Sequence, residues 1–269
     1  MNRTGLFVAL ALTALAVLIF ALFPGLDLAL TNAFYDPATS TFPVSTSSTA
    51  SFLRTAAMWI AWAFAAPSII AFVVKLIWPN KPLLVKGRTV AFILITMVMT
   101  TGILSNAGFK GNWGRPRPSD VTEFHGRWQF KNWWDSSGEC PKNCSFFSGE
   151  ATTAFWTYAP AALAPPQWRP LAYAGATAFG LLTGLLRISF GRHFLSDVIS
   201  AGLITFLTIW LFHAIIYRWP TRRTDEQIDA MLTRMFWPLY RWRLRVLAMF
   251  ERSSPSLHQR IVEAPHHDE

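Results

Sequence analysis

Apolar runs recur along the chain at lengths close to the roughly 20 residues a helix needs to cross a hydrocarbon core of about 30 Å. Residues 5–23 form the first and carry no charge, residues 55–74 lie between Arg54 and Lys75 and contain Pro67, and residues 89–109 lie between Arg88 and Lys110. Residues 145–166 form a fourth run, unusual in holding Glu150 near its start. Residues 170–186 are short but clean between Arg169 and Arg187, and residues 198–217 form a sixth run with His213 as its one ionisable group. Only 14% of the 269 residues are charged and 52% are hydrophobic, against about 25% charged in an ordinary soluble domain. A soluble fold of this length could not bury so much apolar surface. Two cysteines staple too little for a disulfide-rich secreted scaffold. The reading is an all-α integral membrane bundle of six helices over residues 1–217, with a tail over residues 218–269.

The first run has the basic flank of a signal peptide in Arg3. It is longer than a signal core, however, and Pro24-Gly25 follows it in place of a small-residue cleavage pattern. It is read as a retained helix. Six crossings sort the loops onto two sides, and 15 of the 24 Lys and Arg residues fall on the side that holds both termini. That excess marks the side as cytoplasmic.

In the tail, Ile228, Met231, Leu232, Met235, Phe236, Leu239 and Tyr240 recur at helical spacing among Arg234, Arg241, Arg243 and Arg245, with Pro238 expected to kink the helix. Two readings stand: an amphipathic helix on an anionic leaflet, or a helix packed on the cytoplasmic end of the bundle. The net charge of +9 is read as membrane contact, and a chain this apolar is not read as a nucleic-acid binder.

The same six-pass plan gathers polar residues on the opposite, extracytoplasmic side. Lys110 closes the third helix and begins Lys110-Gly-Asn-Trp-Gly-Arg115-Pro-Arg117-Pro118. Ser148-Gly149-Glu150 opens the fourth, Arg187 closes the fifth, and His193 and Asp197 open the sixth. Ionisable groups at a membrane boundary are a functional hypothesis by default. Three cations from separate helix ends suit a phosphate dianion. The Ser148-Gly149 helix start offers free N–H groups and a positive dipole end. His193 and Asp197, spaced i, i+4, share a helix face; an aspartate on Nδ1 fixes the tautomer and frees Nε2 as nucleophile or base. Each signal alone has an ordinary explanation, since Lys and Arg at helix ends anchor helices and His–Asp pairs are often structural. Together they describe phosphoryl transfer through a phosphohistidine.

The joint spacing resembles the tripartite signature of the type-2 phosphatidic acid phosphatases: Lys110, six residues, Arg117-Pro118; then Ser148-Gly149; then Arg187, five residues, His193, three residues, Asp197. The resemblance implies a six-helix fold with the motifs outside the cytoplasm. It further implies His193 as nucleophile, Asp197 as its partner, and Lys110, Arg117, Arg187, Ser148 and the Gly149 N–H on the phosphate oxygens. No cofactor and no metal is implied. One position departs from the pattern. The middle motif usually ends in a histidine that protonates the leaving alcohol, and here Glu150 stands there. Glu150 is an acid only if burial raises its pKa against the neighbouring cations. Otherwise it pairs with one of those cations, or the enzyme is impaired. His125 in the long loop is a substitute acid or a solvated side chain.

The middle segment, Cys140-Pro-Lys-Asn-Cys144-Ser-Phe-Phe-Ser148-Gly149-Glu150-Ala151 after Trp-Gly-Arg-Pro-Arg-Pro, is similar to the branch that contains bacterial lipid A 4′-phosphatases. That similarity implies a lipid A phosphate monoester as substrate, at the periplasmic face of the inner membrane. On that oxidising side Cys140 and Cys144 are expected to form a local disulfide. The loop 111–147 holds Trp113, Trp128, Trp133, Trp134, Phe124, Phe130 and Phe146, read either as interfacial anchors or as a lid over sugar and acyl chains. Other readings stay open: a phosphatase of phosphatidylglycerol phosphate, undecaprenyl pyrophosphate, phosphatidate or the lipid A 1-phosphate, a lipid phosphotransferase, or a non-catalytic lipid-phosphate binder. Oligomeric state is not legible.

Overall fold

The computed structural model describes residues 1, 3–220 and 222–253; the tail expectation for residues 221 and 254–269 lies outside them. Among the described residues there is no strand, only isolated bridges between Asp36 and Thr41 and between Val121 and Trp128. Among the described residues, five helices are long and apolar enough to cross a membrane. They are α1 (Arg3–Leu22), α3 (Ser48–Ile77), the continuous rod Gly87–Asn112, α8 (Arg169–Ser189), and α9 (Leu195–His213) with its extension to Arg218. The rod comprises α4 (Gly87–Met97), a π-helical stretch Val98–Phe109 and α5 (Lys110–Asn112). A short helix, α2 (Leu26–Asn32), follows α1.

The fourth apolar run is not one long helix. It folds as α6 (Gly149–Phe155) and α7 (Tyr158–Leu163), joined by a turn at Trp156 and Thr157. Pro160 lies in the first turn of α7, where its ring would clash with the carbonyl four residues back and so ends a helix arriving from α6. These two short helices are the most enclosed part of the molecule, with Trp156 and Ala159 fully buried. Glycines let the neighbours close on them: a Cβ at Gly180 of α8 would fall 2.1 Å from a ring carbon of Phe155.

Lipid offers no hydrophobic drive between helices, so close packing by small residues takes its place. On α3 the buried positions are Ala50, Ala57, Ala61, Ala65, Ser68, Ala71 and Lys75, one stripe at helical spacing. At about 1.5 Å per residue, the 30 residues of α3 exceed the apolar thickness. Arg54 near one end and Lys75 near the other thus lie toward opposite ends of the bundle.

One end holds the N-terminus and α10 (Asp225–Ser253). The Met1 amino group lies 3.4 Å from His213 Nε2 at the end of α9, and Met1 and Arg169 line the same cavity. Here α10 docks: Asp229 takes Lys75 at 2.9 Å and Asp225 takes Arg88 at 3.2 Å. Ile228, Leu232 and Phe236 bury against Phe72, Leu76, Leu83 and Ala91. Packing on the bundle therefore describes this face of the tail, while Met235, Leu239, Trp242 and Leu247 remain exposed. The helix runs through Pro238 as one element.

The opposite end is capped by the loops around residues 33–47 and 111–148. Tyr35, Phe42 and Phe124 pack together, and Trp113 stacks on Phe146 at 5.0 Å. Phe124, Phe146 and Phe147 are buried and Trp134 is exposed. Most of the loop aromatics thus build the cap itself.

Candidate active site

Under that cap the structure brings together residues that the sequence spreads from Lys110 to Asp197. Lys110 leaves the end of the long rod beside the start of α6. A Cβ at Gly149 would sit 2.7 Å from Lys110 Nζ and 3.0 Å from Ser105 Oγ, so a side chain there would push the ammonium off this helix start. Ser148 is the N-cap, its hydroxyl accepting from Ala151 N at 3.4 Å, which leaves the dipole end of α6 toward the cations. Arg187, in the last turn of α8, is buried, and its Nε has no hydrogen-bond partner. Arg117 is fixed through Nε on the Asn143 carbonyl at 2.9 Å. Burial, and after it the nearby cation of Arg192, pulls the Arg117 pKa below its ordinary value.

His193 stands between α8 and α9 after a tight turn in which Gly191 has φ of +64°, a conformation that favours glycine. A Cβ there would also fall 2.4 Å from the Phe42 ring. The imidazole is buried, and its Nδ1 lies 2.7 Å from the Ser145 carbonyl. Since a carbonyl only accepts, Nδ1 carries the proton and Nε2 keeps its lone pair. Burial, chiefly, holds the His193 pKa below its ordinary value, opposed by Asp197; a neutral imidazole is the form that can attack phosphorus.

Asp197 is less direct a partner than its spacing suggests. Its Oδ2 is 3.7 Å from His193 Nδ1, beyond hydrogen-bond length. It accepts instead from Ser145 Oγ, the Phe194 N–H and Arg115 Nη1. Ser145 thus holds both partners, His193 through its carbonyl and Asp197 through its hydroxyl. Arg115, wholly buried, reaches Asp27 of α2 with Nη2 at 2.7 Å, Ser196 Oγ with Nη1 at 2.8 Å and the Lys131 carbonyl with Nε at 2.9 Å. Cys140 and Cys144 are joined in a disulfide, with Cα atoms 5.7 Å apart. The bridge closes the loop that carries the Asn143 carbonyl, and Ser145 follows it directly.

Glu150 is engaged on two sides. Arg54 of α3 donates to it from Nε at 2.9 and 3.0 Å and from Nη2 at 2.7 Å, and Arg187 Nε lies 3.4 Å away. A carboxylate forked by a guanidinium is the ionised form and has no proton to give. The geometry places Glu150 in an ion pair with Arg54, with Arg187 as its second neighbour. His125 is occupied elsewhere, with Nδ1 2.6 Å from the Tyr35 hydroxyl.

Sequence reasoning assigned no role to Arg54, Arg115, Asp27 or Ser145. Two of them left a trace. Asp27 is the only acidic residue before Asp36, and Arg54 falls on the small-residue stripe of α3 between Ala50 and Ala57.

Residues 90–222 match the PAP2 superfamily. The chain is 31% identical over 219 residues to the lipid A 4′-phosphatase of Francisella tularensis subsp. novicida, covering 81% of this chain and 98% of that protein. It is 36% identical over 118 residues to the lipid A 4′-phosphatase of Rhizobium leguminosarum, covering 44% of this chain and 51% of the relative. A Rhizobium etli protein of the same name is 37% identical over 108 residues, 40% of this chain and 42% of that protein. No solved structure matches the chain.

Proposed function

We propose that this chain, which belongs to the PAP2 superfamily, takes the 4′-phosphate from lipid A by way of a phosphohistidine on His193. It is a phosphoric monoester hydrolase. The observation that carries the mechanism is the His193 tautomer beside three cations: Nδ1 is tied to the Ser145 carbonyl, so the lone pair is on Nε2. The lipid A assignment rests on the similarity to relatives of that name.

In this mechanism Lys110, Arg117 and Arg187 bind the phosphate oxygens, with the α6 N-terminus at Gly149. Nε2 attacks phosphorus; an N–P bond forms as the ester P–O bond breaks, and the sugar alkoxide leaves. The alkoxide takes a proton from water. A second water then attacks phosphorus, the N–P bond breaks, and the proton it sheds neutralises the hydroxide left by the first. One water is consumed, and His193 returns to its starting form. The fixed cations stabilise the charge that moves onto the oxygens, the kind of preorganised electrostatics that commonly dominates catalysis.

In the membrane the chain passes six times, α6 and α7 making the fourth passage. Both termini and α10 lie in the cytoplasm, and the site faces the periplasm. The excess of Lys and Arg at the terminal end supports this. Trapping with a radiolabelled phosphate ester tests the intermediate. Acid-labile, base-stable label on the wild-type chain and none on His193→Ala is the expected result. Label on both chains, or turnover by His193→Ala, refutes the mechanism.

A further inference from the structure

We infer that Arg54 is a positioning residue for phosphate binding: it holds the Glu150 carboxylate away from Arg187, so that Arg187 stays free for substrate. The inference rests on the phosphate site proposed above. Glu150 lies between two guanidinium groups. Arg54 grips it with three contacts of 2.7 to 3.0 Å, while Arg187 Nε stands off at 3.4 Å and makes no hydrogen bond. The exposures are also unequal. The Arg54 side chain is 44% exposed, that of Glu150 20% and that of Arg187 8%. The buried guanidinium is therefore the one left short of an acceptor, and a buried donor without a partner is costly. A phosphate oxygen supplies that acceptor.

Without Arg54, the ion-pair partner left to the carboxylate is Arg187, already 3.4 Å away. The carboxylate would then close on Arg187 and compete with the phosphate for the same Nε. The sequence places Arg54 for this task. It follows Ala50 by four residues and precedes Ala57 by three on the stripe that packs against the bundle, so it reaches Glu150 across 96 residues of chain.

The two arginines make different predictions. An arginine that merely adds positive charge, or touches phosphate itself, weakens binding when removed whatever stands at position 150. An arginine that restrains Glu150 becomes dispensable once the carboxylate is gone. The test is orthovanadate affinity, measured by calorimetry on the detergent-solubilised full chain of the wild type, Arg54→Ala, Glu150→Gln and the double variant, each checked for its thermal unfolding. Arg54→Ala is expected to weaken vanadate by roughly tenfold or more, the scale of a charged hydrogen bond. The double variant is expected within about threefold of wild type, and Glu150→Gln no weaker than wild type. Vanadate binding unchanged in Arg54→Ala overturns the inference, as does a double variant as weak as Arg54→Ala. A wild-type chain that binds no vanadate removes the phosphate site itself, and this inference with it. Should Arg54→Ala fail to fold, Arg54→Lys keeps the charge without the fork, and its weakening must likewise be relieved by Glu150→Gln.

Discussion

Replacing Arg115 by methionine removes a cation that no solvent can replace. Arg115 is wholly buried, with Asp27 on one side and Asp197 on the other. Methionine fills much of the volume, so the loss is one of charge and hydrogen bonds. Breaking a buried pair from one side costs about 3–5 kcal/mol, because the remaining charge is left uncompensated. Here two carboxylates are left, and they share one desolvated space. For a chain of 150–250 residues, 1 kcal/mol shifts Tm by about 2–4 °C, so Arg115→Met is expected to lower Tm by roughly 6–20 °C in detergent. Asp27→Asn added to Arg115→Met neutralises one orphaned carboxylate and is expected to recover part of that loss, although Asp27→Asn alone destabilises. Turnover falls as well, since Asp197 loses the arginine that holds it beside Ser145 and His193. The assay is thermal unfolding of the four chains with parallel turnover. A drop below about 2 °C for Arg115→Met, or a double variant less stable than Arg115→Met, would refute the reasoning.

The imidazole of His193 is expected to titrate below the ordinary pH 6.5, since burial disfavours its charged form. Its contribution to stability is then complete above pH 6.5 and is lost as pH falls through the folded pKa. NMR of labelled histidine, assigned by the His193→Ala chain, checks this; a pKa at or above 6.5 contradicts it. Gly149→Ala puts a methyl group 2.7 Å from Lys110 Nζ, the movable end of a flexible side chain. Stability should change by less than about 1 kcal/mol, the scale of the glycine–alanine helix preference, while kcat/KM falls at least tenfold; unchanged kcat/KM would show that Lys110 does not need its place. A tag inserted in the loop 111–147 is expected to be reached by a membrane-impermeant reagent from outside the cytoplasmic membrane. Protection of the tag contradicts the proposed orientation.

The long helices were legible because crossing a bilayer demands length and apolarity, and both can be read from composition. The fourth run was only partly legible. Hydropathy registers its alanines and aromatics but not the break that Pro160 imposes, nor its place in the centre of the bundle. The motif residues could be grouped from the run pattern alone, since reading the apolar runs as alternating passages puts the ends of four segments on one side. What holds them there could not. Arg115 meets Asp27 across 88 residues, and Arg54 meets Glu150 across 96; no local spacing encodes either pair. The i, i+4 spacing of His193 and Asp197 does place them on one face, yet the closer partner of Nδ1 is a backbone carbonyl. Any residue has such a carbonyl, so Ser145 left no mark for this role. The tail divided for a physical reason too: one face of α10 is apolar and docks through Asp225 and Asp229, while the other keeps its apolar side chains exposed.

His193 is proposed to remove a phosphate from lipid A. Product mass spectrometry on bis-phosphorylated lipid A, with the wild type and His193→Ala side by side and phosphatidylglycerol phosphate and undecaprenyl pyrophosphate as competitors, addresses this directly. Loss of one phosphate from lipid A, at the 4′ end by fragment ions, is expected with wild type only. Turnover of either competitor in place of lipid A, or an active His193→Ala chain, would contradict it.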